Sequence, residues 1–245
     1  MQNNWDYFSD DRSYSEELNS RLINNVEMKS ATRASEILKN LNVNTYNICD
    51  VGSGPGHYYP VFEKYLGAQI RYLGLDYLED NCNNGNSFYK NNSNVSFRKF
   101  NLLTDSISSE GFNICVSFNT LPHVPNIDLF ADNLNYSSQF DFILFRMLIG
   151  SECVMIKKNI GIDFDNLFEE NIQYNNIYNI KYLEKLFPKY DLEVLNDFEA
   201  NKVKDHFINY KDKTNRESRI SKVIGDKIFK GEIYMPWRYL LGKRK

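Results

Sequence analysis

A glycine-rich run follows a short apolar segment near the middle of the first half of the chain. Residues 50–56 read DVGSGPG, directly after an apolar stretch that begins at Tyr46, and a helical pattern starts at Tyr59. Glycines permit backbone conformations and close approaches that a β-carbon would block. The order of strand, glycine loop and helix therefore predicts the start of a βαβ unit.

Further apolar runs separated by polar stretches predict that strands and helices alternate along the chain. Strands are predicted at residues 70–76, 95–100, 112–118, 140–145, 192–198 and 233–241, and helices at 25–40, 59–66 and 180–186. Such alternation is typical of a mainly parallel sheet with helices on both faces. The predicted class is an α/β fold with a doubly wound, mainly parallel sheet.

The spacing of the glycines separates two kinds of nucleotide-binding loop. A dinucleotide-binding loop would place its third glycine at position 57, where this chain has His57. A second acid, Asp76, ends the next predicted strand, 22 residues beyond Gly54. At the carboxyl end of a strand an acid can accept both hydroxyls of a ribose. Loop and acid together favour a cofactor that contains a nucleoside, whereas Asp76 alone would be read as an exposed turn residue.

From about residue 34 to residue 149 the chain resembles class I S-adenosylmethionine-dependent methyltransferases. The motifs that carry the resemblance are ICDVGSGPG at 48–56, YLGLD at 72–76, FRKFN at 97–101 and FNTLPHV at 118–124. The third family motif usually ends in Asp, and Asn101 stands there in this chain. The antiparallel final strand of the family would be residues 232–240.

The resemblance implies a seven-stranded, Rossmann-like sheet that binds S-adenosyl-L-methionine and releases S-adenosyl-L-homocysteine. The implied cofactor contacts are Asp50, Gly52, Ser53, Gly54, Gly56, Asp76, Tyr77, Asn101, Leu102, Ser117 and Phe118. Asn101 could bond the adenine amino group through its amide oxygen. The whole length is then interpreted as one domain, with a helical N-terminal cap at 1–44, the cofactor-binding core at 45–150, and a lid-like, substrate-facing insertion with closing strands at 151–245.

Three residues outside the cofactor set are candidates for contact with the methyl acceptor. A hydroxyl acceptor needs a general base, and histidine is the commonest choice. His123 follows the fourth predicted strand and is the candidate base, although it could instead shape the turn through hydrogen bonds to the backbone. Tyr58 is predicted to line the pocket or to pack in the core. Arg146 ends the fifth predicted strand and is predicted to contact an anion, because a charge that closes an apolar run needs a partner.

The charge of the chain is unevenly distributed. Residues 201–245 hold 13 Lys and Arg against 5 Asp and Glu, a net charge of +8, whereas the first 200 residues have a net charge of −11. This basic segment is either a solvated surface or part of a site for an anionic acceptor. The isoelectric point of about 5.7 is low for a nucleic-acid-binding protein, so nucleic acid is a disfavoured partner.

Several acceptor classes are disfavoured by missing motifs. Residues 119–122, NTLP, lack the (Asp/Asn)-Pro-Pro-aromatic run of enzymes that methylate adenine or glutamine nitrogens. No Pro-Cys pair is present for methylation at cytosine C5, and too few carboxylates follow the fourth strand to predict a metal. No apolar run approaches the roughly 18 residues of a membrane helix, and neither a secretory pattern nor a CxxC pair occurs, so we expect a cytoplasmic protein with reduced cysteines and no membrane partner.

The sequence thus predicts a methyltransferase that acts on a small molecule by O-methylation of an anionic, phosphate-bearing or sugar-linked acceptor. Its overall pattern is similar to methyltransferases of bacterial surface-polysaccharide (capsule) biosynthesis, which build decorations such as O-methyl phosphoramidate. An RNA methyltransferase and a catalytically inactive, cofactor-binding regulatory protein remain as alternatives, and His57 counts against a nicotinamide dehydrogenase. The sequence does not decide the oligomeric state.

Overall fold

A computed structural model of the chain describes residues 12–67, 69–137, 139–159, 172–197, 221–224, 227–230 and 233–245. The first half holds α1 (Arg12–Ile23), α2 (Lys29–Lys39), β1 (Asn47–Val51), α3 (Tyr59–Leu66), β2 (Arg71–Asp76), α4 (Glu79–Phe88), β3 (Val95–Lys99) and β4 (Ile114–Phe118). The second half holds a 3-10 turn (Leu121–His123), α5 (Ile127–Ser137), β5 (Phe142–Leu148), β6 (Lys157–Asn159), β7 (Ile172–Tyr174), α6 (Ile180–Leu186), β8 (Tyr190–Asn196), β9 (Ser221–Ile224), β10 (Lys227–Lys230), β11 (Ile233–Tyr234) and β12 (Trp237–Arg244).

Seven strands form one sheet in the order β3-β2-β1-β4-β5-β12-β8. The first five of these strands are parallel, and β12 runs antiparallel to both of its neighbours, β5 and β8. The predicted class, a doubly wound and mainly parallel seven-stranded sheet, is confirmed. Because β1 to β5 are parallel, the loops that follow them meet at a single edge of the sheet, where ligands of open α/β sheets bind.

Each face of the sheet is covered by its own buried cluster. Ile48 packs with the residues of α2 and α3, whereas its neighbour Cys49 packs with those of α5 and α6. Successive side chains of a strand point to opposite faces, which explains why the two neighbours belong to different clusters. Both faces are therefore apolar, and the polar groups of the strands concentrate at their ends.

Several elements differ from the sequence prediction. A helix, α1, precedes the predicted one, and the latter begins at Lys29 rather than at residue 25. The fifth strand continues to Leu148, so Arg146 lies inside it. The final strand is β12 and not residues 232–240, because β11 belongs to a separate three-stranded sheet and Pro236 between them has no N–H for a ladder.

All four cysteines lie among the described residues as free thiols. Cys49, Cys82 and Cys115 are buried free thiols, and Cys153 is free and exposed. None of the described helices is long and apolar enough to cross a membrane.

The region at 151–180 includes the two-stranded sheet of β6 and β7, and the part of it at 160–171 lies outside the described residues.

Candidate cofactor and acceptor site

The glycine loop is held between the ends of β2 and β4. Gly52, Gly54 and Gly56 all have positive φ angles, of 78°, 56° and 84°. The backbone N–H of Gly52 donates to the carbonyl of Leu75 over 2.7 Å. A Cβ on Gly52 would lie 2.0 Å from Oγ1 of Thr120, so no other residue fits there without displacing the exit of β4. The loop conformation and its close contacts both require glycine.

The third glycine of the loop has a packing role that the motif does not reveal. Cβ atoms on Gly56, Gly74 and Gly85 would lie 2.3, 2.3 and 2.7 Å from the ring of Phe97. That ring is 6% exposed and stacks on Tyr89 at 5.9 Å between centroids. The loop, β2 and α4 therefore approach one another through glycines that make room for a single aromatic side chain.

Asp76 at the end of β2 is directly linked to the loop. Its Oδ2 accepts the N–H of Gly54 over 2.7 Å, and its Oδ1 accepts from the backbone of Leu78 and the side chain of Asn81, each over 3.0 Å. Burial raises the pKa of Asp76, and these hydrogen bonds oppose the rise. A carboxylate offers about four acceptor positions, so three hydrogen bonds leave capacity for a ribose hydroxyl.

Asp50, at the end of β1, is only 2% exposed. Its Oδ2 accepts the hydroxyl of Tyr72 over 2.6 Å, whereas its Oδ1 is buried with no hydrogen-bond partner among the described residues. Burial raises the pKa of Asp50 to about 7, although the Tyr72 hydrogen bond lowers it. An unsatisfied buried carboxylate oxygen is costly, and a cationic donor would relieve that cost. The site therefore fits the ammonium group of an amino acid.

Two predicted cofactor contacts at the end of β4 are engaged within the protein. The hydroxyl of Ser117 is fully buried and donates to the carbonyl of Val51 over 2.7 Å, which joins β4 to the start of the loop. The ring of Phe118 stacks on Tyr58 at 4.7 Å between centroids. Tyr58 is 3% exposed, and its hydroxyl bonds Oγ of Ser30 over 2.7 Å. The structure thus favours a packing role for Tyr58 over contact with a substrate.

The remaining predicted cofactor contacts lie near the ends of β2 and β3 and in the glycine loop. The amide oxygen of Asn101 accepts the N–H of Leu103 over 3.0 Å, which uses one of its two lone pairs. Leu102 is 4% exposed and belongs to the buried cluster under α5, so it supports the loop through packing. Tyr77 is half-buried directly after Asp76. Ser53 is 3% exposed in the loop itself. These positions agree with a role near the cofactor, which stays a prediction.

His123 is oriented by a strand that is distant in sequence. Its Nδ1 lies 2.7 Å from the carbonyl oxygen of Tyr174 in β7. A carbonyl can only accept, so Nδ1 carries the proton and the lone pair of the neutral imidazole is on Nε2. The side chain of Asn176 also donates to the carbonyl of Val124 over 2.9 Å. The segment after β7 therefore fixes the 3-10 turn and the tautomer of His123.

Arg146 is paired within the protein, and its predicted contact with an anion stays a prediction. Its Nε and Nη2 donate to the two carboxylate oxygens of Asp197 over 2.9 and 2.7 Å, and its Nη1 donates to the side chain of Asn119. The guanidinium also stacks on Trp237 at 4.3 Å. Arg146 and Asp197 are 9% and 3% exposed. Because Asp197 neutralises the charge, we expect Arg146 to position the exit of β4.

Helix α1 supplies contacts that the sequence prediction missed. Cδ1 of Leu18 lies 3.2 Å from the place a Cβ on Gly54 would take, and Oγ of Ser15 donates to Oδ1 of Asn81 over 3.2 Å. Ser15, Leu18 and Leu22 are spaced i, i+3 and i+7, the one signal in the sequence that indicates a helix face here. Within the described part of the chain, no three His, Cys, Asp or Glu side chains could together hold a metal ion.

No protein-family model and no curated protein matches the sequence. Solved structures do match. Phosphoethanolamine N-methyltransferase 2 of Haemonchus contortus, in complex with S-adenosyl-L-methionine, has a TM-score of 0.54 and 12% identity over 85% of this chain and 51% of that chain. The N-terminal domain of EvdMO1 with SAH bound has a TM-score of 0.53 and 10% identity over 88% and 81%. The methyltransferase domain of bacterial CtHen1 has a TM-score of 0.51 and 14% identity over 88% and 97%.

At such low identity these similarities concern the fold. This chain has the Rossmann-like fold of the class I S-adenosylmethionine-dependent methyltransferases, as its motifs predicted.

Proposed function

We propose that the chain is an S-adenosyl-L-methionine-dependent methyltransferase that acts on a small-molecule acceptor. The observation that carries the proposal is the buried Oδ1 of Asp50, which has no partner among the described residues and lies at the start of the glycine loop. The ammonium group of an amino acid would satisfy that oxygen. The hydrogen bond from Gly54 to Asp76 places a second carboxylate at the same edge of the sheet, where a ribose can bind.

The chain's own part in the reaction is to bind and orient the two substrates. S-adenosyl-L-methionine supplies, when bound, a methyl group on a positively charged sulfur. Asp50 would hold the ammonium group, Asp76 the ribose hydroxyls, and Asn101 the adenine amino group through the free lone pair of its amide oxygen. Little covalent chemistry is then left to the protein, because a fixed in-line geometry removes much of the entropic barrier.

His123 is the proposed general base for a hydroxyl acceptor. Its Nδ1–H is held by the carbonyl of Tyr174, which leaves the basic lone pair on Nε2. The same hydrogen bond favours one orientation of the ring. General bases contribute roughly 100- to 10,000-fold to such reactions.

The acceptor is proposed to be anionic, phosphate-bearing or sugar-linked, as in surface-polysaccharide biosynthesis, with O-methyl phosphoramidate as its most specific form. The basic segment, with a net charge of +8 over residues 201–245, supports an anionic acceptor and lies largely outside the described residues. Two proteins of the same fold are compatible with it: EvdMO1, solved in the presence of SAH and D-fucose, and an enzyme named for phosphoethanolamine. Both lend support by analogy only.

The test begins with titration calorimetry of S-adenosylhomocysteine. We expect saturable binding that Asp50→Ala weakens and that Asp141→Asn, an exposed carboxylate before β5, leaves unchanged. Release of S-adenosylhomocysteine is then measured with hydroxyl-bearing sugar nucleotides, sugar phosphates, phosphoramidate esters and RNA. Absence of binding overturns the proposal. Binding without turnover on any acceptor supports the regulatory alternative, and salt-sensitive turnover on RNA supports the RNA alternative.

A further inference from the structure

The backbone turns sharply where β4 ends. Asn119, the residue after that strand, has a φ of 63°, which lies in the left-handed region. Residues other than glycine rarely adopt this conformation, and asparagine is among the few that tolerate it. Because one left-handed residue redirects the chain, the place of the next residue, Thr120, depends on the conformation of Asn119.

Two hydrogen bonds to a single neighbour hold Asn119 in this conformation. Its backbone N–H donates to the carbonyl of Arg146 over 3.1 Å, and its amide oxygen accepts from Nη1 of the same residue. The guanidinium is itself fixed, because Asp197 takes its other donors and the ring of Trp237 stacks on it at 4.3 Å. Both members of the ion pair are buried. The turn is therefore anchored to the interior of the protein.

The residue that follows the turn packs against the first glycine of the cofactor loop. Oγ1 of Thr120 lies 3.4 Å from the carbonyl oxygens of Gly52 and Phe118, so its hydroxyl can donate to either. A Cβ on Gly52 would lie 2.0 Å from the same oxygen, so the two segments are in close contact. On its other side the N–H of Gly52 donates to Leu75 of β2. The start of the loop is thus fixed between β2 and the exit of β4.

We propose that Asn119 is a positioning residue for S-adenosylmethionine. Its left-handed backbone, held by Arg146, places Thr120 against Gly52 and so keeps the glycine loop in the conformation that binds the ligand. Asn119 acts through its neighbours, which separates its role from that of the two acids proposed to touch the ligand. The inference rests on the proposed function.

The backbone conformation and the amide hydrogen bond of Asn119 can be separated by substitution. With a residue that avoids the left-handed region, the ligand-free chain relaxes, and binding has to return it to the competent conformation. For an ordinary L-residue that return corresponds to roughly a tenfold loss of affinity. Glycine also lacks the amide but adopts a positive φ without strain. Alanine therefore tests both features, and glycine tests the hydrogen bond alone.

The test measures the affinity of S-adenosylhomocysteine by titration calorimetry. We expect a loss of roughly tenfold in Asn119→Ala and of less than about threefold in Asn119→Gly. Asn42 provides the matched control, because it has a φ of 53°, is exposed, and precedes β1 at the end of that strand opposite to the loop. Asn42→Ala strains the same region of the backbone map and should leave the affinity unchanged.

Hydrogen exchange tests the same geometry without a ligand. The N–H of Gly52, which donates to the carbonyl of Leu75 over 2.7 Å, is followed by NMR in deuterated solvent. Amides of β12 serve as the reference for global unfolding. Relative to them, we expect the Gly52 amide to exchange roughly tenfold faster in Asn119→Ala than in Asn119→Gly.

Three results overturn the inference. Equal losses in Asn119→Ala and Asn119→Gly would mean that the amide matters and the backbone conformation does not. Unchanged affinity and exchange in both would mean that the turn does not govern the loop, and an equal loss in Asn42→Ala would indicate general destabilisation. Wild-type protein that does not bind S-adenosylhomocysteine would instead contradict the proposed function, and the exchange of the Gly52 amide still decides the inference.

A second variant covers the case in which Asn119→Ala does not fold, as judged by circular dichroism. Thr120→Ala leaves the turn intact and removes the contact with Gly52. It should weaken S-adenosylhomocysteine by more than about threefold, because the exit of β4 no longer supports the loop. Unchanged affinity in this variant would likewise overturn the inference.

Discussion

Asp50 has one carboxylate oxygen satisfied by Tyr72 and one without a partner among the described residues. Burial raises its pKa to about 7, the Tyr72 hydrogen bond lowers it, and the nearby charge of Asp76 raises it further. The thiols of Cys49 and Cys115 also lie close to this carboxyl, and burial raises the pKa of both. At pH 6 the protonated form of Asp50 therefore predominates in the folded protein, and a cationic ligand favours the ionised form.

We predict that S-adenosylhomocysteine binding releases a proton at pH 6. The ligand ammonium lowers the pKa of Asp50, so the proton leaves as the ligand binds, and affinity rises as the pH increases toward 7. Calorimetry in buffers of different ionisation enthalpy measures this release directly. Asp50→Asn has no carboxyl to titrate and should show no such release, so an identical proton count in both proteins would contradict the assignment.

The raised pKa of Asp50 also makes the free energy of unfolding depend on pH. The folded protein binds the Asp50 proton more tightly than the unfolded chain, whose carboxyl titrates near 3.9. The contribution of Asp50 to stability is thus complete below about pH 4 and is lost as the pH rises through about 7. Asp50→Asn should flatten this part of the pH dependence of the free energy of unfolding.

We predict that His123→Ala lowers turnover with little effect on cofactor affinity. Loss of a general base costs roughly 100- to 10,000-fold in rate, whereas the cofactor contacts come from other loops. Single-turnover rates and the dissociation constant of S-adenosylhomocysteine are measured on the same preparations. Unchanged turnover would remove His123 as the base, and a parallel loss of cofactor affinity would indicate that it only shapes the turn.

Elements of the fold meet at Phe97 because glycines line three sides of its ring. The ring is in β3, and the glycines belong to the loop, to β2 and to α4. Glycines spaced this far apart in the sequence give no sign that they share one neighbour. The glycine of the second motif, YLGLD at 72–76, therefore serves packing, and the acid of that motif is the residue proposed to bind the ribose.

We predict that Gly74→Ala destabilises the protein by about 1–3 kcal/mol, because its Cβ would lie 2.3 Å from Cδ1 of Phe97. Urea unfolding gives the free energy directly. Ser96→Ala, exposed in the same strand as Phe97, is the control and should cost less than about 0.5 kcal/mol. Combining Gly74→Ala with Phe97→Leu should recover part of the loss, and strict additivity of the two changes would contradict a steric cause.

The sequence located elements well where periodicity is local and poorly where tertiary contacts set the boundary. Helices α3 and α6 begin and end where the pattern placed them. The helix α1 was missed because its apolar face is only two leucines wide, Leu18 and Leu22, and is completed by contact with the loop. The final strand was placed too early because the apolar run continues through Pro236, where the chain passes from one sheet to the other.

At the scale of the whole molecule, the Arg146–Asp197 pair connects parts of the chain that are far apart in sequence. It joins β5 to the residue after β8, and through Asn119 it fixes the exit of β4, where the backbone has a φ of 63°. A left-handed conformation is uncommon for a residue other than glycine and is stabilised here by this hydrogen bond. The pair therefore helps to set the shape of the chain at the exit of β4.

We predict that Asp197→Asn destabilises the protein by about 3 kcal/mol, because it leaves the buried guanidinium of Arg146 without a counter-charge. The loss is measured by urea unfolding. Asp191→Asn is the matched control in β8: its side chain is 75% exposed, 3.9 Å from Lys245, and such exposed pairs contribute under about 1 kcal/mol. Equal effects of the two substitutions would show that the buried pair adds nothing.

The sequence by itself determined the fold class, the loop at 50–56 and the acid at the end of β2, because these depend on periodicity and on spacings within short stretches. Only the tertiary structure decided which polar groups are satisfied. Asp197 lies 51 residues from Arg146, and Tyr174 the same distance from His123, so packing alone brings these partners together. Beside the glycine loop, Asp50 and His57 each have a buried polar atom with no hydrogen-bond partner among the described residues, a feature that burial creates and no motif records.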